Sequence, residues 1–291
     1  MYLNERKITM KKKIISLLMC AAMCIGLCSC GGTTSDSGSG PSDGAGSSSA
    51  SDWDYIQNKG SLVVGITYYE PMNYLDENGE LTGFETEFTK AVCEKLGVTP
   101  EFQVIEWSKK ELELQSRTID AIWNGMTVLE EKRDQMAFST SYIRNKQVVI
   151  VKTENADKYT DTASMAGASI AFEGGSAGET AATSDDTLKN CKLINCEAQK
   201  DALMEVKAGT ADLGIIDYVM ALASVGEGTD YSDIKIIESV ELTPEEYAVG
   251  IRLEDTETLA KINAAIDELA KDGTLGALAE KYGLSDVYAL G

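Results

Sequence analysis

From Trp53 to Gly283 the chain alternates short apolar runs with stretches whose apolar residues recur every three or four positions, and that alternation restricts it to an α/β architecture. Leu62–Ile66 reads as a buried strand, Phe102 and Val104 alternate in a second, and Ile119–Trp123 makes a third. Val148–Val151, Ser169–Phe172, Leu213–Ile216, Ile234–Ile237 and Ala248–Ile251 repeat the pattern. Between them, Phe84, Phe88, Ala91, Val92 and Leu96 share one helical face, and Gly97 stops that helix. Leu203 and Val206 mark a helix closed by Gly209, Tyr218 to Val225 another, and Leu259, Ile262, Ile266 and Leu269 one ended by Gly273; a last helix ends at Gly283. Ser108 with Glu111, Thr127 with Glu130 and Ser176 with Glu179 have the spacing of capping boxes and predict three helix starts. The segment after residue 51 is longer than the roughly 100–150 residues of a typical domain, so two α/β lobes are expected.

The N-terminal segment has a different grammar. Lys11-Lys12-Lys13 form a positive patch, Ile14 to Ile25 a mostly apolar run, and Ala21, Ala22 and Gly26 are small residues near its end. The run is shorter than the about 20 residues a spanning helix needs. Leu27-Cys28-Ser29-Cys30 resembles a bacterial lipoprotein signal, in which the last cysteine is lipidated and becomes the mature N-terminus; an ordinary secretory peptide is the plainer reading. Met10 reads as the start, with Met1 to Thr9 an upstream extension. The expectation is a signal peptide over 1–29, a lipid on Cys30, and a Gly/Ser/Thr/Asp-rich flexible tether over 30–51. Such a chain works outside the cytoplasm, anchored to the outer face of the cell membrane.

Charge and composition exclude several functions. The formal net charge is −21; loss of residues 1–29 removes five basic side chains (Arg6, Lys7, Lys11, Lys12, Lys13) and one acid (Glu5) and leaves −25. That balance argues against nucleic acid and anionic lipid as partners. There is no histidine, which removes the commonest general base and metal ligand and every Ser-His or Cys-His nucleophile. Of seven cysteines, Cys93, Cys191 and Cys196 remain beyond Cys30. Cys191 and Cys196 flank a short strand that spans roughly 16 Å when extended, beyond the ~7 Å Cα limit for a disulfide. Free thiols are expected, with no metal site and no cofactor.

Several segments together resemble the polar amino-acid-binding family of extracytoplasmic solute-binding proteins (family 3 type), the capture subunits of ABC importers. They are Gly60-Ser-Leu-Val-Val-Gly65, Gly83-Phe-Glu-Thr-Glu87, Ile119-Asp-Ala-Ile122, Gly125-Met-Thr127, Asp212 to Asp217 and Lys271-Asp-Gly-Thr274. The resemblance implies two Rossmann-like lobes with a ligand cleft between them, the type II periplasmic-binding-protein-like fold. It places the first lobe at 52–145, the second at 146–244, and a return to the first at 245–291, with crossings near Arg144–Gln147 and Leu242–Tyr247.

It also implies a site. Asp217 ends an apolar strand, where doubly wound sheets present ligand-binding groups; the resemblance gives it the ligand's α-ammonium, and the bland alternative is a cap for the following helix. Thr127 and Ser176 open predicted helices, whose amide ends suit a carboxylate, with backbone contacts from Gly125, Met126 and Gly175. Trp107 lies thirteen positions before Asp120, the family's spacing for an aromatic that packs on ligand. Tyr68 and Tyr69 are adjacent and point oppositely in extended chain, so one is expected at the ligand; stacking there suits an ammonium or guanidinium. Counting from Thr127 to Phe138-Ser139 puts Lys132, with Arg133 next, where the family has a carboxylate-clamping arginine. A lysine there is a point charge instead of a fork. Glu70, in the altered loop Tyr69-Glu70-Pro71-Met72-Asn73-Tyr74, is a candidate partner for a basic ligand side chain.

The expected function is non-catalytic: capture of a polar amino acid outside the membrane and delivery to an ABC importer with its permease and ATPase, by a lipid-anchored monomer. The other readings are a carboxylate-dependent, dehydratase-like enzyme on the same fold, and a tethered amino-acid sensor.

Overall fold

A computed structural model describes residues 51–291; the predicted signal peptide, Cys30 and the tether up to residue 50 lie outside the described residues. Helix α1 (Asp52–Lys59) starts at Ser51, whose hydroxyl accepts from Asp54 N while Asp54 accepts from Ser51 N. β1 (Ser61–Ile66) follows, then a small hairpin of β2 (Tyr74–Leu75) and β3 (Leu81–Thr82), helix α2 (Phe84–Leu96) and β4 (Thr99–Val104). Helix α3 (Lys110–Gln115) leads into β5 (Ala121–Ile122) and β6 (Met136–Phe138). The long β7 (Ile143–Lys152) opens a second set: β8 (Ser169–Glu173), α4 (Ala177–Ser184), β9 (Lys192–Cys196), α5 (Gln199–Ala208), β10 (Leu213–Asp217), α6 (Tyr218–Ser224) and β11 (Ile234–Ile236). The chain closes with β12 (Pro244–Tyr247), β13 (Gly250–Arg252), α7 (Thr256–Lys271) and α8 (Thr274–Lys281).

These strands make two sheets. The first has the order β4-β1-β5-β13-β6, with β4, β1 and β5 parallel and β13 antiparallel to both its neighbours. The second has the order β11-β7-β10-β8-β9, with β10, β8 and β9 parallel. Parallel strands covered on both faces must be apolar along their length; Leu62, Val64 and Ile66 of β1 and all of β10 are accordingly buried. α2 packs Phe84 and Phe88 into the first core, where Phe88 meets Trp123 and Tyr142 edge-on at centroid distances of 5.0 and 5.2 Å. Val149, Val151, Ile170, Phe172, Leu213 and Ile215 fill the second.

Two strands carry the chain between the sheets. β7 pairs through Ile143–Lys146 with β12 and through Gln147–Val151 with β10, so one strand serves both partners and β12 runs back beside it.

The structure revises the predicted elements where side-chain spacing alone spoke. Ile119–Trp123 shortens to the two-residue β5, and the last predicted strand is shifted to β13. Ser108 does not cap α3: it sits in a 3₁₀ turn (Trp107–Lys109) and its hydroxyl donates to Glu106 at 2.8 Å. No α-helix follows Thr127; there is a 3₁₀ turn at Glu130–Lys132 with no side-chain cap. Only Ser176 caps as expected, accepting from Glu179 N at 3.2 Å. Cys93, Cys191 and Cys196 are free thiols, the first buried and the others half-buried. Among the described residues no helix is long and apolar enough to cross a membrane.

Candidate ligand-binding site

A cavity of ≈ 360 Å³ lies between walls supplied by the two sheets, within the range of small-ligand pockets. The first wall comes from the 3₁₀ turn before α3 (Trp107, Ser108), the first residues of α3 (Lys110, Glu111) and the segment after β5 (Asn124 to Thr127, with Lys132). The second comes from the end of β8 and the start of α4 (Glu173, Gly175, Ser176, Glu179), with Gln199 and Asp217. The strand-end positions of β8 and β10 therefore converge, as expected for doubly wound sheets.

Asp217 is almost fully buried. Its Oδ1 accepts from Asn145 Nδ2 at 2.7 Å and from Gln147 Nε2 at 2.5 Å, and its Oδ2 from Gln199 Nε2. It does not cap α6; the Asn145 carbonyl oxygen does, accepting from Val219 N at 3.2 Å. These three partners are neutral amides, so the carboxylate lines the cavity without a cation among them. Glu245 of β12 shares Asn145 and Gln147 with it, and burial, then the Asp217 charge, pushes the Glu245 carboxyl up. Glu173, at the end of β8, is pushed up to about 8 by burial first and by Asp217 second. The group thus sets one amide-held carboxylate beside two acids that give up their protons late.

The segment after β5 is extended. Ala248 N donates to Met126 O at 3.0 Å and Val128 N to Glu246 O at 2.9 Å, so Thr127 bridges to Tyr247 without using its own amide. Gly125 has φ +57°, and a Cβ there would lie 2.7 Å from the Tyr69 ring and 3.2 Å from the Tyr247 ring, so both backbone shape and space require glycine. Beneath it, the buried Glu85 accepts from Gly125 N at 2.8 Å, from the Tyr142 hydroxyl at 2.5 Å and from Asn73 Nδ2 at 3.0 Å. Burial raises Glu85 to about 7.

Of the residues the sequence nominated, Trp107, Gly125, Met126, Thr127, Lys132, Gly175, Ser176 and Asp217 line the cavity together. Four do not. Tyr68 and Glu70 border a separate hollow of ≈ 540 Å³ with Tyr74 and Tyr231. Tyr69 is buried behind Gly125, its hydroxyl 2.8 Å from that of Tyr247. Arg133 points outward, paired with Glu130 at 2.9 Å, whereas Lys132 meets Glu111 at 3.3 Å beside the cavity. Sequence reasoning missed Lys110, Glu173 and Gln199. Glu173 follows the nominated apolar strand Ser169–Phe172 directly, a strand-end position like that of Asp217, and was legible on that ground. Among the described residues no cluster of His, Cys, Asp or Glu is arranged to hold a metal ion.

Residues 62–285 match the model of the bacterial extracellular solute-binding proteins, family 3. The L-cystine-binding protein TcyJ of Escherichia coli (strain K12) is 27% identical over 236 residues, covering 80% of this chain and 86% of that one. The L-cystine-binding protein TcyA of Bacillus subtilis (strain 168) is 28% identical and covers 96% and 99%. An ABC uptake transporter substrate-binding protein from Streptococcus pneumoniae, solved with bound histidine, superposes with a TM-score of 0.72 at 32% identity, over 82% of this chain and 98% of that one.

Proposed function

Because the chain belongs to the bacterial extracellular solute-binding proteins, family 3, we propose that it captures a free polar amino acid in this cleft and delivers it to an ABC importer. The observation that carries the reading is Asp217: a buried carboxylate, oriented by Asn145, Gln147 and Gln199, on the wall of a cavity the size of one small ligand. In this reading Asp217 takes the α-ammonium. Ser176, Thr127, Lys132 and the amide of Met126 surround the α-carboxylate, and Trp107 packs on the ligand; the amides of Gly125 and Gly175, which the sequence also nominated, are already taken by Glu85 and Glu179. Tyr68, Glu70 and Arg133 stay outside this assignment, and Tyr69 supports the floor. The relatives named above bind cystine or histidine, which supports the amino-acid class and leaves the side chain open.

The two connecting strands support lobe borders of 52–145 and 245–291 for the first lobe and 146–244 for the second. The chain acts without catalysis, a reading supported by the family's binding role and by a sequence with no histidine. A monomer held by a lipid on Cys30 fits a capture subunit, since tethering raises its local concentration at a membrane partner.

A thermal-shift screen with all amino acids tests the core of the proposal. A ligand at 100 times its Kd stabilises by about 2.7 kcal/mol, a shift of about 5–10 °C for a protein of this size. Asp217→Ala removes that shift while the unliganded melt stays cooperative; retained affinity in the variant refutes the assignment. Consumption of any amino acid in the same mixtures would favour the dehydratase-like reading. Mass spectrometry of the mature N-terminus tests the anchor, an unmodified Cys30 counting against it.

A further inference from the structure

Lys110 is a buried ammonium on the wall of the cavity, 4% exposed. Its Nζ donates across the cleft to Gly175 O at 2.7 Å and reaches Trp107 O at 3.4 Å, both neutral acceptors. It lies 4.6 Å from the centroid of the Trp107 ring. The carboxylate oxygen that approaches it, Glu111 Oε1 at 3.5 Å, is shared with Lys132 at 3.3 Å. Two ammonium groups thus divide one partly exposed carboxylate oxygen, and burial holds the Lys110 ammonium below the usual lysine range. Once the ligand's ammonium meets Asp217 and its carboxylate meets Lys132, Lys110 is the buried charge whose carboxylate partner, Glu111, is shared and partly exposed.

We infer that Lys110 selects the ligand: it receives a side chain ending in a carbonyl oxygen, carboxamide or carboxylate, and excludes amino acids with a cationic side chain. This rests on the amino-acid reading of the cleft and narrows it. The Trp107 face that would attract a guanidinium already carries the Lys110 ammonium, so a cationic ligand must evict it or lie beside it. Two like charges ~5 Å apart in an effective dielectric of about 20 repel enough to cost on the order of 100-fold in affinity. The acids at the mouth do not reverse this. The Glu179 carboxylate is occupied by Gly175 N at 2.6 Å, that of Glu111 by the two lysines, and Glu131 is exposed at the rim. Glu173, on the facing wall, complements either end group. As an acid it donates to a carboxylate, and ionised it accepts from a carboxamide N–H.

The test is calorimetric titration of the mature protein and of Lys110→Met with glutamine, glutamate, asparagine, aspartate, arginine, lysine, serine, leucine and cystine. The wild type is expected to bind one of the first four at least 10-fold more tightly than any of the others. Lys110→Met is expected to lose at least 10-fold for that ligand and to narrow its margin over arginine and lysine. Raising the pH from 6 to 9 favours glutamine over glutamate, which separates the two end groups. Tightest binding by any amino acid outside the four, or an unchanged ranking in Lys110→Met, overturns the inference and leaves the amino-acid cleft standing. Binding by no amino acid overturns both. Should Lys110→Met lose its cooperative melt, Lys110→Gln replaces it. That variant keeps a donor without the charge, so it retains carboxamide binding and admits arginine and lysine; continued exclusion of both overturns the role of the Lys110 charge.

Discussion

Arg252, 1% exposed, ties β13 to the end of α3, to the residues before β5 and to the turn before α7. Its Nη1 donates to Leu114 O at 2.9 Å and Ile119 O at 2.7 Å, and its Nη2 lies 2.6 Å from Asp255 Oδ2 and 3.5 Å from Asp120 Oδ1. Asp120 in turn accepts from Val63 N at 2.8 Å. Arg252→Ala leaves two carboxylates and two carbonyls short of a donor in the interior, and is expected to cost about 3–5 kcal/mol in urea unfolding. Single residues were unevenly legible. Asp217 stood out because an acid ends an apolar strand there and the family resemblance gives that position a role; by spacing alone it could equally have capped the next helix. Lys110 did not, because Lys109-Lys110-Glu111 reads as a solvated helix face; only the approach of Gly175 from the other wall buries it. Arg252 was equally hidden, since nothing in Gly-Ile-Arg-Leu says that the guanidinium turns inward.

Among the elements, strands with continuous apolar runs and helices with a full apolar stripe were readable, as β1, β10, α2 and α7 attest. Short capping signatures were not. Thr127 and Ser176 have the same Ser/Thr-x-x-Glu spacing, yet one lies in extended chain beside β12 and the other caps a helix. The two part ways in their neighbours: Ala177–Ser184 is rich in helix-favouring alanine, whereas the residues after Thr127 carry no apolar stripe and the backbone on either side of it, Met126 O and Val128 N, is bonded to Ala248 and Glu246. Ser176→Ala is therefore expected to lower stability by about 1 kcal/mol, seen as a drop of about 2–4 °C in the unliganded melt. Its effect on ligand affinity should be larger, about 10-fold, because the same helix start faces the cavity.

At the scale of the molecule, three buried acids set a pH dependence. Glu85 and Glu173 titrate at about 7 and about 8 in the folded state, and Glu245 is also raised, all by burial first. Unfolded, each titrates near the ordinary glutamate value of about 4.3. Between these limits the unfolded chain binds fewer protons than the folded one, so stability falls as pH rises. The unliganded protein is expected to lose stability progressively between about pH 5 and pH 8.5; melts across that range check this, and Glu245→Gln should flatten the slope. Closure has its own requirement. Gly175 has φ +72°, and a Cβ there would lie 2.9 Å from Ser108 Cα on the opposite wall. Gly175→Ala should weaken ligand binding by 10-fold or more through that clash and a strained backbone of about 1–2 kcal/mol. Calorimetry measures the affinity, and small-angle scattering with ligand should report a wider molecule than the wild type.

Asn145 and Gln147 lie on β7 and Glu245 on β12, the two strands that pass between the sheets, and the same two amides hold Asp217. Grip and joint are thus one piece of machinery. A change that stiffens or loosens the connecting strands is expected to retune how long the ligand stays, and a change at Asp217 to alter how readily the strands flex. Lys110 stands off that joint, on the far wall, where the choice of cargo is free to drift while the mechanics stay put.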